Sequence, residues 1–130
     1  HAVRDTLVGR VDIDGRLSLD ELRISDDVFR EVDKVFVIAC GTAFHAGLVA
    51  KYAIEHWTRL PVEIEIASEF RYRDPVLDPN TLTLAVSQSG ETIDTLEAAR
   101  HAKRQGSRVV AITNTVGSRR SSSASASLAA

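Results

Sequence analysis

The chain has 130 residues, 44% of them apolar and 26% charged, which is one domain's length and the composition of an ordinary globular fold. With 16 Lys+Arg against 18 Asp+Glu and a formal net charge of −2, it lacks the basic excess expected of a nucleic-acid binder, and no apolar run is long enough to span a membrane. A single cysteine, Cys40, excludes an intrachain disulfide or a multi-cysteine metal site and fits a reducing cytoplasm.

Residues 1–33 read as a polar connector. It holds a turn-like Asp12-Ile13-Asp14-Gly15-Arg16 and a short helix after Ser25, with Asp26 and Asp27 in its first turn. HAVRDTLVGR has no apolar signal-peptide core, and with no methionine anywhere the chain reads as a fragment of a longer protein. Lys34–Ala39 is a continuous apolar run, the mark of a strand buried on both faces. After Gly41 a helix is expected from about Ala43 to Trp57. It carries one apolar face of Ala46, Val49, Ala50, Ala53, Ile54 and Trp57 and a second of Phe44, Leu48 and Tyr52, which suggests burial on two sides.

Val62–Ala67 is the next expected strand, with Glu63 and Glu65 on one side of it as a solvated or interface pair. Residues 68–80 read as a polar connector, within which Glu69–Arg73 is either a charged surface turn or a docking element. Thr81–Val86 is a third strand. Ile93, Leu96, Ala99, Ala102 and Lys103 mark a helix that stops at Gly106, and Arg108–Thr113 is a fourth strand. Residues 118–130, with six Ser, four Ala, two Arg and one Leu, have little to bury and are expected to be disordered. Alternating strands and helices predict an α/β fold with a doubly wound, right-handed parallel sheet.

Ligands of such sheets bind beyond the carboxyl ends of the strands. The third end carries Ser87-Gln88-Ser89-Gly90-Glu91-Thr92, four hydroxyl or amide side chains and one glycine between a strand and a helix start. Hydroxyl donors and unpaired helix N–H groups together make an anion cradle suited to phosphate. The same residues also suit a plain helix cap, and spacing does not choose between the two. The loop lacks the lysine of a nucleotide P-loop and the pattern of a nucleophile elbow, and the first strand's turn has one glycine instead of a dinucleotide fingerprint. A small phosphorylated ligand is therefore favoured over NAD or a nucleoside triphosphate. Cys40 reads as a packed small residue, and His45, His56 and His101 show no metal spacing. No cofactor and no metal are expected.

Cys40-Gly41-Thr42, Ala67-Ser68-Glu69-Phe70-Arg71-Tyr72-Arg73 and Ser87–Thr92, taken together and at this spacing, resemble the isomerase domain of the glutamine–fructose-6-phosphate aminotransferases. The Ser-Gln-Ser-Gly-Glu-Thr loop alone is shared widely among SIS (sugar isomerase) domains; the ASEFRYR segment is the more specific part. The resemblance runs from residue 1 to about 118. It implies a five-stranded, flavodoxin-like SIS sheet over residues 34–117, incomplete at its C-terminal end, preceded by an inter-domain connector.

It also implies that Ser87, Gln88, Ser89 and Thr92 hold the phosphate of fructose 6-phosphate or glucosamine 6-phosphate, with Thr42 lining the same site. Ala43 stands where the family often has Ser. The family converts fructose 6-phosphate and glutamine to glucosamine 6-phosphate, but its acid–base residues lie downstream of this sequence and its glutamine-hydrolysing cysteine upstream. No catalytic residue is therefore assigned here, and the fragment alone is expected to be inactive. A homodimer through the SIS domain and a cytoplasmic location follow from the same resemblance. After Gly117 the family continues into a fifth strand, so the Ser/Ala tail reads as the product of a truncation or frame shift, with an appended linker or tag as the alternative. The alternative is a stand-alone phosphosugar-sensing SIS module, but residues 1–33 offer no helix-turn-helix.

Overall fold

The strand with the most apolar sequence lies inside the sheet, with a neighbouring strand on each side. A computed structural model describes residues 2–19, 22, 24–90, 92–114 and 126–129. In chain order its elements are α1 (Ala2–Leu7), α2 (Asp26–Arg30), β1 (Lys34–Ala39), α3 (Thr42–Thr58), β2 (Val62–Ile66), α4 (Ala67–Arg73), β3 (Thr81–Ser87), α5 (Ile93–Arg104), β4 (Arg108–Thr113) and β5 (Ala126–Ala129). The strands form one sheet in the order β2-β1-β3-β4-β5, every pair parallel.

Val35 to Ala39 are all buried, because β1 has a strand on each side and helices on both faces. On one face Phe36, Ile38, Ala85 and Val109 pack with Ala67 and Phe70 of α4 and Ala98 and Ala102 of α5. On the other, Val35, Val37 and Val62 pack with Ile54 of α3, and with Val32 and Leu60. Successive side chains of a strand point to opposite faces, so one apolar run serves both cores.

The α3 helix meets the sheet through Gly47, its one buried residue. A Cβ there would lie 2.5 Å from Ile64 Cδ1, so glycine sets the close approach. The expected division of apolar faces is corrected accordingly. Ile54 packs inward, whereas Val49, Tyr52 and Trp57 are 72%, 71% and 78% exposed. Rotation of the helix onto Gly47 turns those three outward.

Two further expectations change. Residues 67–73, read across a strand end and a polar connector, form α4, with Phe70 wholly buried and edge-to-face with Phe36 at 5.1 Å. Alternating charges hid an apolar position at every turn of a helix. In the tail, Ala126–Ala129 pairs with β4 from Val110↔Ala126 to Thr113↔Ala129, which corrects the expectation of disorder at those four positions. A ladder joins backbone groups and does not require large side chains. The rest of that expectation, 118–125 and 130, lies outside the described residues. The connector contains α1, not anticipated from sequence, and the expected turn: Gly15 N–H donates to the Asp12 carbonyl at 3.0 Å and Arg16 N–H to Asp12 Oδ1 at 2.7 Å.

At the β2 edge, Glu63 and Glu65 do share a face and are neutralised there. Lys34 Nζ lies 2.6 Å from Glu63, and Arg73 Nε donates to both Glu65 carboxylate oxygens at 2.7 and 2.9 Å. The Lys34 hydrogen bond, more than any other influence, holds the Glu63 carboxyl below its ordinary 4.5. Charge on an edge strand also protects it from pairing with other chains.

Removing the Phe70 ring should leave a cavity between α4 and β1. Phe70→Ala is expected to lose about 3–5 kcal/mol in urea unfolding, while Tyr72→Ala, at an 85% exposed position, stays within about 0.5 kcal/mol of the parent chain. A carboxyl with a lowered folded-state pKa stabilises the fold above its unfolded value and loses that contribution as pH falls through the folded value. The stability difference between the parent and Glu63→Gln should therefore shrink as pH is lowered from 7 to below 4.5; a difference that grows on acidification would contradict the assigned ion pair.

Candidate functional site

In the order 2-1-3-4-5 the chain reverses direction across the sheet between β1 and β3. The helices that follow these strands, α3 and α5, lie on opposite faces. Their diverging N-termini leave a crevice at the carboxyl ends, the place where open α/β sheets bind ligands. The register Ala39↔Val86 brings the ends of β1 and β3 level. Thr42, the first residue of α3, and the loop after Ser87 thus come from neighbouring strand ends.

The loop is built around Ser87. This last residue of β3 is 8% exposed, and its Oγ accepts the Gly90 N–H at 3.1 Å and lies 3.2 Å from Thr92 Oγ1. Gly90 adopts φ 67°, a left-handed conformation that glycine takes without strain. The resulting turn buries Gly90 and leaves Gln88 and Ser89 exposed beside the crevice. Asn114 N–H donates to the Gln88 carbonyl at 3.2 Å, tying the loop to the end of β4. Thr95 Oγ1 donates to Cys40 Sγ at 3.9 Å, placing the cysteine against the first turn and a half of α5.

Thr92 occupies the N-cap position of α5 but makes no side-chain cap hydrogen bond; its hydroxyl is turned to Ser87. The plain-cap reading of this threonine is therefore not the one the geometry takes. Instead, α5 starts with its positive end directed at the loop, beside a cluster of hydroxyl groups. Such an arrangement can take a phosphate through backbone N–H and neutral O–H donors.

Of the five residues singled out from sequence, Ser87, Gln88, Ser89 and Thr92 lie on one loop, and Thr42 stands exposed at the adjacent strand end. One residue not singled out also reaches this region. Arg71 of α4 has Nη1 3.8 Å from Oδ1 of Asp94, in the first turn of α5. Its signal in the sequence was only the i, i+1 alternation of charge and aromatic residues in Glu69–Arg73. His101 of α5 lies apart, with Nε2 2.8 Å from Asp74 Oδ1, and Gln105 bonds the same carboxylate. Among the described residues no group of three or more His, Cys, Asp and Glu is placed to hold a metal ion, and no helix is long and apolar enough to cross a membrane.

Comparison with known proteins identifies the family. Residues 28–130 match the family model of the SIS domain. The chain is 72% identical over 117 residues to a glutamine–fructose-6-phosphate aminotransferase (isomerizing) of Streptomyces coelicolor, covering 90% of this chain and 19% of that protein. It is 64% identical over 127 residues to the enzyme of the same name from Corynebacterium glutamicum, covering 98% of this chain and 20% of the relative. The chain thus spans about a fifth of the length of the curated relatives it matches. Among solved structures, the C-terminal domain of glucosamine-fructose-6-phosphate aminotransferase from Francisella tularensis superposes with a TM-score of 0.86 at 38% identity, over 98% of this chain and 36% of that one.

The loop's shape should depend on one hydroxyl. Ser87→Ala removes the acceptor of the buried Gly90 N–H and is expected to cost about 1–3 kcal/mol. Hydrogen exchange at the Gly90 amide should accelerate by more than at Val110 in the core of β4, and equal acceleration at both would show global loosening instead.

Proposed function

Because the chain belongs to the SIS domain family, we propose that the Ser87–Thr92 loop binds the phosphate of fructose 6-phosphate and of glucosamine 6-phosphate. In this reading the chain is the sugar-phosphate-holding part of an isomerizing glutamine–fructose-6-phosphate aminotransferase. The observation that carries it is the turn of the Thr92 hydroxyl to Ser87, away from the cap it could have made, at the mouth of the β1/β3 crevice. Ser87 and Thr92 shape the phosphate site, Gln88 and Ser89 line its open side, and Thr42 faces it from the start of α3, just beyond β1.

The role of the residues present is to hold and orient. The phosphate supplies the charge that anchors the sugar, and the strand ends fix where its carbon chain begins. Proton transfer between sugar carbons needs acid–base groups within hydrogen-bond reach of those carbons; none of the residues assigned here has that role. The chain works in the cytoplasm as a homodimer formed through this domain. An apolar α3 surface of Val49, Tyr52 and Trp57 supports such a partner face, as the lone Cys40 supports a reducing compartment. A stand-alone sensing module is the weaker reading, since the 72% identity spans 90% of the chain, including the ASEFRYR segment.

Calorimetric titration tests the assignment. Fructose 6-phosphate should bind measurably tighter than fructose, and equal affinities would sink it. Thr92→Ala should weaken fructose 6-phosphate by roughly 1.5–3 kcal/mol, the range for a hydrogen bond to a charged group, and leave fructose unchanged.

A further inference from the structure

Residues 87–94 read Ser-Gln-Ser-Gly-Glu-Thr-Ile-Asp, two carboxylates and no cation. A phosphate ester near neutral pH carries between one and two negative charges. It would enter a segment already negative, close to the first turn of α5. Asp94 there is placed to take the favourable field of the helix N-terminus for itself.

The fold brings a cation to this point from another element. Arg71 Nη1 lies 3.8 Å from Asp94 Oδ1, the two side chains being 37% and 50% exposed. The arginine is carried on a well-anchored helix: Phe70 beside it is wholly buried, and Arg73 grips Glu65 through two hydrogen bonds. Its guanidinium also lies 5.9 Å from the Tyr72 ring centroid. We infer that Arg71 is a positioning residue for phosphate binding: it neutralises and holds Asp94, so that the positive end of α5 acts on the bound phosphate and not on its own carboxylate. The inference rests on the sugar-phosphate reading of the loop.

A purely structural tie between α4 and α5 would have the same distance, but the two roles differ in sign. If the pair only fastens two helices, removing either partner has the same effect on ligand binding. If Arg71 acts by charge, removing it exposes the phosphate to Asp94, whereas removing the Asp94 charge relieves that repulsion.

The test is titration of fructose 6-phosphate and fructose into the parent chain, Arg71→Ala, Arg71→Lys, Asp94→Asn and the Arg71→Ala/Asp94→Asn double variant, with unfolding midpoints measured for each. Arg71→Ala should weaken fructose 6-phosphate by about 5-fold at low salt, the upper range for a partly exposed pair, without changing fructose. The gap should close in about 1 M salt, where the screening length is about 3 Å. Asp94→Asn alone should bind the phosphate at least as tightly as the parent, the double variant should recover, and Arg71→Lys should retain most of the affinity. Equal losses in both single variants without recovery, or an unchanged Arg71→Ala, would overturn the inference while leaving the sugar-phosphate reading intact. If the parent chain shows no preference for the phosphorylated sugar, that reading fails and the inference falls with it.

Discussion

The pairing of β1 with β3, from Lys34↔Thr81 to Ala39↔Val86, is the constraint on which the rest of the molecule depends. These strands are consecutive in neither sequence nor direction of winding: β2 intervenes in the chain but lies on the outer side of β1. Right-handed crossovers to left and right of this pair place α3 on one face and α4 with α5 on the other. The crevice exists because two helices leave adjacent strand ends in opposite directions. A one-residue slip of β3 would exchange its buried Thr83 and Ala85 for Leu82 and Leu84 and carry Ser87 away from the level of Cys40. The packing of Phe36, Ile38 and Ala85 in a single cluster thus holds the loop in place as well as the sheet.

The proposed phosphate site at the crevice would use few formal charges. Gly90 donates its N–H inward to Ser87, and Ser87 and Thr92 engage one another. The loop is therefore set before any ligand arrives, and little ordering entropy remains to be lost on binding. In the proposed function, neutral donors and a helix end would discriminate phosphate from an uncharged sugar without the desolvation that a buried lysine would require. The nearby ion pair Arg71–Asp94 is exposed enough that its net energy is modest. In the role inferred for Arg71, its value lies in where it leaves the field of α5 pointing.

β1 to β4, α3, α5 and the Ser87–Thr92 loop between β3 and α5 were legible in the sequence because each rests on a local signal. Lys34–Ala39 is an uninterrupted apolar run, Gly41 and Gly106 punctuate the helices, and Ser87–Thr92 concentrates hydroxyl groups at a strand end. The parts that were not legible depend on tertiary contacts. The 67–73 segment shows no long apolar period because only Ala67 and Phe70 face the core. The face of α3 that meets the sheet was misjudged because its contact is a glycine, which hydropathy does not score. Ala126–Ala129 has no strand signature of its own; the open edge of β4 supplies its partner groups. Arg71 could not be assigned to the site from spacing, since Asp94 lies more than twenty residues away and across a strand.

A helix as short as α4 has no stability of its own, since nucleation is costly and few hydrogen bonds follow. Its sequence shows what holds it in place of length. With about 100° between successive residues, Phe70 turns into the core against Phe36, Arg71 toward Asp94 on α5, and Arg73 toward Glu65 on β2. Asp74, at the left-handed C-cap, reaches His101 and Gln105. Four of the five residues from Phe70 to Asp74 thereby bind β1, the edge strand β2 and both ends of α5. Buried Phe70 anchors the segment and the arginines add partly exposed ion pairs around it, and this is why a segment that looks like a solvated turn is fixed in the fold. Through Arg73 and Arg71, two residues apart on α4, the same short helix touches both the edge strand β2 and the first turn of α5.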